Sequence, residues 1–199
     1  SYTLVEPAGV TAHVIPWNYP TSTTVRGIAP ALAAGCTAVV KPAETTPLTA
    51  LMIAAILHEA GLPAGVLNVV NGTGPAAGAP LVAHKGIDHV TFTGSVNTGS
   101  MVMQAAARNI TSVTLELGGK SPAIVLEDCD IEVAAKGAAA AIFYNQGQVC
   151  CAGSRLYVQR SKYDQVIADL AAIADGIKLA PGLAPGCDMG PLVSGKQQK

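Results

Sequence analysis

Charge is scarce in this sequence. Lysine and arginine number 12 and aspartate and glutamate 13 among 199 residues, a net charge of −1. That balance supplies no basic field for nucleic acid or for an anionic membrane. Long apolar runs are missing too, because Lys, Glu, His, Pro or Gly interrupts each one short of the ~20 residues that a membrane-spanning helix requires. The first residues, Ser1-Tyr-Thr-Leu-Val-Glu-Pro7, lack the basic and apolar regions of a secretory signal. Cys36, Cys129, Cys150, Cys151 and Cys187 are odd in number and scattered, without the paired spacings of a small disulfide scaffold or a zinc site. A reduced, cytoplasmic compartment is therefore expected. His58-Glu59 has no second histidine one helical turn on, so a metal site is not expected, and all four histidines read as surface or packing residues. No repeat of solenoid length and no low-complexity segment is found.

What is present is apolar: 50% of the residues, enough for one large domain or for one domain and part of a second. Gly9 to Ile15 is a β-branched run that stops at the loop Pro16-Trp-Asn-Tyr-Pro20. From Thr21 to Gly35 apolar residues recur at helical spacing, with Thr and Ser as candidate caps and Gly35 as the stop. Cys36 to Val40 is a continuous apolar strand ending at Lys41-Pro-Ala-Glu44. A second helix is expected through Ala60, capped by Thr45 or Thr46 with Pro47 in its first turn. Val66 to Val70 is the next strand, and a glycine turn, Asn71 to Gly78, opens a helix over Ala79 to His84. His89 to Thr93 is a strand, followed by a helix from Gly94-Ser95 through Ala107, and Thr111 to Leu117 is a strand broken by Gly118-Gly119. These alternations predict an α/β doubly wound parallel sheet. Beyond it, Ala123 to Leu126 reads as a strand, Asp128 and Asp130 as caps of an Ala-rich helix from Ile131, Leu156 to Gln159 as β, and Ser161 to Ile177 as a helix. Lys178 to Lys199 is rich in Gly and Pro and has no closing element.

Ligands of doubly wound sheets bind at the carboxyl ends of the strands. That rule gathers the turns Pro16 to Pro20, Lys41 to Glu44, Gly72 to Gly78, Thr93 to Ser95 and Glu116 to Gly119. The glycine turn, G-x-G-x-x-x-G, is one residue longer than a dinucleotide fingerprint and is compatible with a plain loop. Lys41 and Glu44 could grip two ribose hydroxyls or form a solvated charged loop; Asn18 could donate its amide or shape a turn. Glu116 stands alone in an apolar strand, where a buried carboxylate is costly unless it works, for example as a general base. In Phe143-Tyr-Asn-Gln-Gly-Gln-Val-Cys-Cys-Ala-Gly-Ser-Arg155 a thiol held in a turn could attack a carbonyl, or the cysteines could be small buried hydrophobes.

Pro16-Trp-Asn-Tyr-Pro20, Lys41-Pro-Ala-Glu44, Phe92-Thr-Gly-Ser95, Glu116-Leu-Gly-Gly-Lys-Ser-Pro122 and Gly147-Gln-Val-Cys-Cys-Ala-Gly-Ser-Arg155 resemble, in order and spacing, the signature series of NAD(P)-dependent aldehyde dehydrogenases. The resemblance implies a Rossmann-like cofactor domain over residues 1–117 and the start of a second α/β, catalytic domain over 118–199. It implies Cys150 as nucleophile, Glu116 as general base and Asn18 as oxyanion donor. Lys41 and Glu44 correspond to adenosine-ribose contacts, and Ile15, Trp17, Gly74, Gly78, Gly94, Ser95 and Leu117 to further dinucleotide contacts. The implied cofactor is NAD, because a 2′-phosphate would meet Glu44. The implied partners are a small aldehyde and, for a full-length parent, further copies in a homodimer or homotetramer. Val149, Met101 and Met103 hint at an apolar aldehyde, although the methionines suit the core better. Against the family pattern the chain lacks an N-terminal segment, the rest of the catalytic domain with its Glu-x-Phe-Gly-Pro stretch, and an oligomerisation arm, so it is expected to be a fragment with exposed sheet edges. A nucleotide-binding module without catalysis and a coenzyme-A-acylating reductase are the alternative functions, the latter disfavoured by Glu116.

Overall fold

The computed structural model describes residues 1–198, and the chain divides into two compact units, one ending at Leu117 and one beginning at Gly118. In the first unit the β-branched and alanine-rich runs form strands β1 (Val10–Val14), β2 (Thr37–Lys41), β3 (Leu67–Val69), β4 (His89–Gly94) and β5 (Ser112–Leu117). Helices α1 (Pro20–Ala33), α2 (Leu48–Glu59), α3 (Ala79–Val82) and α4 (Val96–Ala107) connect them. All strand pairs are parallel, in the order β3-β2-β1-β4-β5. The chain winds outward from β1 through β2 to β3, then returns to the other side of β1 for β4 and β5. The doubly wound α/β fold is thus present, with its reversal between β1 and β4, the place where such sheets leave a crevice for ligands.

Apolar side chains cover one face of the sheet and part of the other. On one, Ile28 and Leu32 of α1 and Ile53 and Leu57 of α2 pack on Ile15, Ala38 and Val40; on the other, Val82 and Val102 pack on Ala12, Val90 and Phe92. Val40 and Val90 are both 0% exposed, and full burial of such a side chain contributes about 1.5–3 kcal/mol, so truncating either weakens its own face.

Helix starts differ from expectation where proline intervenes. Helix α1 begins on Pro20 without a side-chain cap; proline lacks one of the N–H groups that a cap would satisfy. At α2, Pro47 itself is the flanking residue and neither Thr45 nor Thr46 caps it; Thr46 Oγ1 is buried without a hydrogen-bond partner among the described residues. Ser95 does cap α4, accepting from Thr98 N–H at 3.2 Å. The glycine turn is a wide turn, Gly74–Gly78, running into α3, which stops at Val82. Met101 and Met103 are 66% and 54% exposed on α4 and do not belong to the core.

In the second unit β6 (Pro122–Val125) pairs in parallel with β7 (Arg155–Val158), joined through α5 (Ile131–Phe143). Asp130, not Asp128, caps α5, accepting from Val133 N–H at 3.0 Å. The small buried side chains Ala135, Ala138 and Ala139 let α6 (Tyr163–Asp175) pack against α5. After α6 the described residues hold only an isolated bridge, Leu179 to Met189; the last residue of the Gly/Pro-rich segment, Lys199, lies outside them. Among the described residues no helix is long and apolar enough to cross a membrane.

Candidate active site

In the first unit the expected contact residues lie at the carboxyl ends of the strands. Lys41 closes β2 and is only 3% exposed, yet its Nζ is 3.2 Å from Glu44 Oε2, whose side chain is 55% exposed. An ammonium group so enclosed needs a partner, and Glu44 supplies it. The Glu44 carboxyl lies below its ordinary value: its own backbone N–H lowers it most, the slight burial opposes this, and the Lys41 contact lowers it further. Lys41 and Glu44 are therefore a built pair, not a loose charged loop.

The loop after β1 carries Trp17 and Asn18, both half-buried. Ile15 is buried in the core with its N–H on Lys41 C=O at 2.9 Å, so this residue can face a ligand only through its backbone. Across the crevice, Gly94 and Ser95 end β4 and start α4. A Cβ on Gly94 would stand 2.6 Å from Phe92 Cζ of the same strand, and one on Gly99 would stand 2.6 Å from Leu117 Cδ2, so a glycine at 99 lets α4 sit tight against the end of β5. Gly74 and Gly78 have no atom within 4 Å of where a Cβ would be. Gly74 is exposed, as a contact to a phosphate-bearing ligand requires, whereas Gly78 is buried. A buried ammonium with a carboxylate beside it, the exposed Gly74 and a helix start with free N–H groups form a donor set that fits a dinucleotide.

Glu116 is exposed, against the expectation of burial. It lies on β5, the edge strand, and alternates with Val113, Leu115 and Leu117, which turn to the core. Its face of the sheet is polar: the register sets His89 beside Ser112, Thr91 beside Thr114 and Thr93 beside Glu116. His89, Thr91, Thr93, Thr114 and Glu116, with Arg26 and His13, line a cavity of about 510 Å³. Arg26 donates from Nη2 to Thr93 Oγ1 at 3.2 Å. Sequence reasoning passed over Arg26, although it is the lone charge in α1.

His13 was also underrated. It is 2% exposed and bonded on both ring nitrogens, to Thr11 Oγ1 and to Thr91 Oγ1, each at 2.8 Å. Thr11 Oγ1 gives its proton to Thr37 C=O at 2.9 Å, so it accepts from Nε2–H, and Nδ1 accepts from Thr91. Burial, with the nearby His89, lowers the His13 pKa to about 4, keeping it neutral.

Cys150 and Cys151 belong to the second unit and are both exposed, which excludes their packing as buried hydrophobes. They occupy the corner of a turn closed by Ala152 N–H to Val149 C=O at 3.2 Å. The backbone on either side is fixed. Upstream, Asn145, Gln146 and Gly147 take successive left-handed conformations (φ 51°, 57° and 71°), and a Cβ on Gly147 would lie 3.1 Å from Ile142 C=O. The Gln148 side chain reaches Asn145 C=O at 3.3 Å and Val193 N–H at 3.0 Å. Downstream, Ala152 is buried and Gly153 N–H donates to Ala141 C=O at 2.9 Å. The Cys150 N–H has no hydrogen-bond partner among the described residues, so it is available to a ligand oxygen. Gly119, in the same unit, lies beside Cys150, a Cβ there being 3.9 Å from Cys150 C=O. Among the described residues no cluster of three His, Cys, Asp or Glu could hold a metal ion.

The sequence pattern of the aldehyde dehydrogenase family matches residues 1–199. Phenylacetaldehyde dehydrogenase of Pseudomonas fluorescens is 56% identical over 193 residues, covering 97% of this chain and 38% of that protein. Aldehyde dehydrogenase 1A1 of Homo sapiens is 48% identical over 198 residues, covering 99% and 40%. Among solved structures, betaine aldehyde dehydrogenase of Staphylococcus aureus in complex with NAD+ aligns with a TM-score of 0.94 at 42% identity, covering 97% of this chain and 38% of that one. The NAD+ complex of an aldehyde dehydrogenase from Bacillus cereus gives 0.92 at 52% identity, with 97% and 39% covered. The chain thus spans about two fifths of the length of the relatives it matches.

Proposed function

Because the chain belongs to the aldehyde dehydrogenase family, we propose that it carries the working residues for oxidising an aldehyde to a carboxylic acid with NAD, through a thioester on Cys150. The Cys150 thiolate adds to the aldehyde carbon and the carbonyl electron pair moves onto oxygen. The Asn18 amide and the Cys150 backbone N–H donate to that oxyanion; one such donor is worth about 3 kcal/mol of barrier. A bound nicotinamide supplies the acceptor for the hydride, which leaves the acyl group on sulfur. Glu116 takes a proton from the water that attacks the thioester carbonyl, the carbon–sulfur bond breaks, and the acid departs. The exposure of Glu116 on β5 suits that task, since water reaches it freely.

In this reading the first unit is the cofactor domain and the second the start of the catalytic domain. Lys41 and Glu44 hold the adenosine ribose, and Ile15, Trp17, Gly74, Gly78, Gly94, Ser95 and Leu117 contact the rest of the dinucleotide. The Glu44 carboxylate places a negative charge where NADP would bring a phosphate, which favours NAD. Full-length parents would assemble as homodimers or homotetramers.

The observation that carries the reading is the Cys150 turn: an exposed thiol with a free N–H on a backbone fixed at both ends. The test is to mix the protein with NAD and a simple aldehyde and follow NADH. Formation of NADH and carboxylate, unaccelerated by coenzyme A, supports it. NAD binding without NADH would leave a nucleotide-binding module, and acceleration by coenzyme A would point to an acylating enzyme.

A further inference from the structure

The cavity beside Glu116 holds a charge that the chemistry above leaves unused. Arg26 of α1 lines it, together with Glu116, Thr93 and Thr114 of the polar sheet face. We propose that Arg26 binds the carboxylate at the far end of the substrate, so that the preferred aldehydes are short ω-oxo acids. The proposal rests on the dehydrogenase reading and names the substrate class of that site.

Three observations support it. First, the cavity has one cation. Burial keeps His13 neutral, with its pKa lowered to about 4, and burial lowers His89 as well, so near pH 7 Arg26 supplies the positive charge and Glu116 the negative one. Second, the Arg26 guanidinium is held without being neutralised. It donates from Nη2 to the Thr93 hydroxyl at 3.2 Å, and neither ion pair among the described residues, Lys41–Glu44 or Lys136–Glu132, includes it. A guanidinium has five N–H donors in a planar fork, and a carboxylate is the anion that matches this fork two bonds at a time. Third, the backbone brings that fork to the base. A Cβ on Gly27 would stand 2.8 Å from His13 Nδ1, so glycine lets α1 come down on the polar face and puts the neighbouring Arg26 in reach of β4. Its partner Thr93 is in register with Glu116 on β5, and paired strands lie ~4.8 Å apart. One hydrogen bond and one strand spacing therefore separate the fork from the base, a span that a chain of a few methylenes covers.

The two charges also fix direction. Glu116 repels a carboxylate and Arg26 attracts one, so an ω-oxo acid lies with its acid at α1 and its aldehyde end toward the base. Met101 and Met103, which hinted at an apolar aldehyde, are on α4 and do not line this cavity.

The experiment compares succinic semialdehyde with butanal, a chain of equal length without the carboxylate, on the 199-residue chain with NAD. Succinic semialdehyde should have the higher kcat/KM by about 10–100-fold, the worth of a charge-assisted bidentate contact. Arg26→Met and Arg26→Gln should each lose that preference. Arg26 is exposed, so neither variant opens the core, and a Gln amide can still donate to Thr93 Oγ1, so a mere tether between α1 and β4 would survive in Arg26→Gln. A titration with 4-hydroxybutyrate, which keeps the carboxylate but has no carbonyl for a thiol to attack, reads the same contact without turnover. It should bind the native chain about 10–100-fold more tightly than either variant. NADH formed as fast from butanal as from succinic semialdehyde, or a preference that Arg26→Gln retains, overturns the role of Arg26 and leaves the dehydrogenase reading standing. If neither aldehyde gives NADH, the dehydrogenase reading fails and the titration decides the anion site alone: affinity lost in both variants supports it, and equal affinity in native chain and variants overturns it.

Discussion

At Lys41 the chain buries an ammonium group, leaves 3% of the residue exposed and ties it to Glu44 at 3.2 Å; at Cys150 it leaves the side chain exposed and ties down the backbone on either side. The first arrangement is finished before any ligand arrives: charge, partner and direction are set, so binding orders little. The second fixes where the thiol is and leaves the sulfur free to form and break a bond. The contrast matches the roles proposed for the two regions, and substitutions on each side test it.

The largest effect is expected at Cys150. Cys150→Ala should abolish both the first-turnover burst of NADH and steady-state turnover, by about 10³-fold or more, as loss of a covalent nucleophile does; rapid-mixing absorbance reads both phases. Glu116→Gln comes next. It should keep a stoichiometric burst and lose about 10²–10⁴-fold in steady-state rate, because only deacylation needs the base. Normal steady-state turnover in that variant would remove Glu116 from the mechanism.

On the prepared side of the comparison, Lys41→Ala should weaken NAD binding by about 10–100-fold, the loss of a charge-assisted hydrogen bond together with the pairing of Glu44; calorimetric titration reads the affinity. If Lys41→Ala binds NAD normally, the buried pair is structural and the contrast with Cys150 loses its functional meaning.

How much of this was legible in the sequence depends on the range of the interactions. Strand runs such as Cys36 to Val40 and the Gly94-Ser95 helix start are local signals, and they appear in the structure within a residue or two. The starts of α1 and α2 were misread because a proline at each start takes the place of the Thr cap. The exposure of Glu116 was not legible at all: it follows from β5 lying at the sheet edge, and strand order is not written in any one strand. His13 was missed for a similar reason, since its partner Thr91 is 78 residues away.

His13 gives the smallest expected effect, one of stability. Its folded pKa of about 4 lies below the unfolded 6.5, so the unfolded chain takes up the proton first. The stability gained by keeping the ring neutral is complete above pH 6.5 and falls as the pH drops toward 4, by on the order of 3 kcal/mol. Urea unfolding across that window should show the loss, and His13→Gln should flatten the slope. His89, also lowered by burial, leaves a residual slope of the same sign. An unchanged slope in His13→Gln would mean that the polar face of the sheet does not hold the ring neutral.

The central claim, that Cys150 carries the acyl group, is tested most directly by the mass of the Gly137–Arg155 peptide from Glu116→Gln after incubation with NAD and an aldehyde. The account predicts one acyl group on Cys150, removed by hydroxylamine, in amounts equal to the NADH of the burst. NADH formed with Cys150 unmodified, or an acyl group on Cys151 instead, would contradict it.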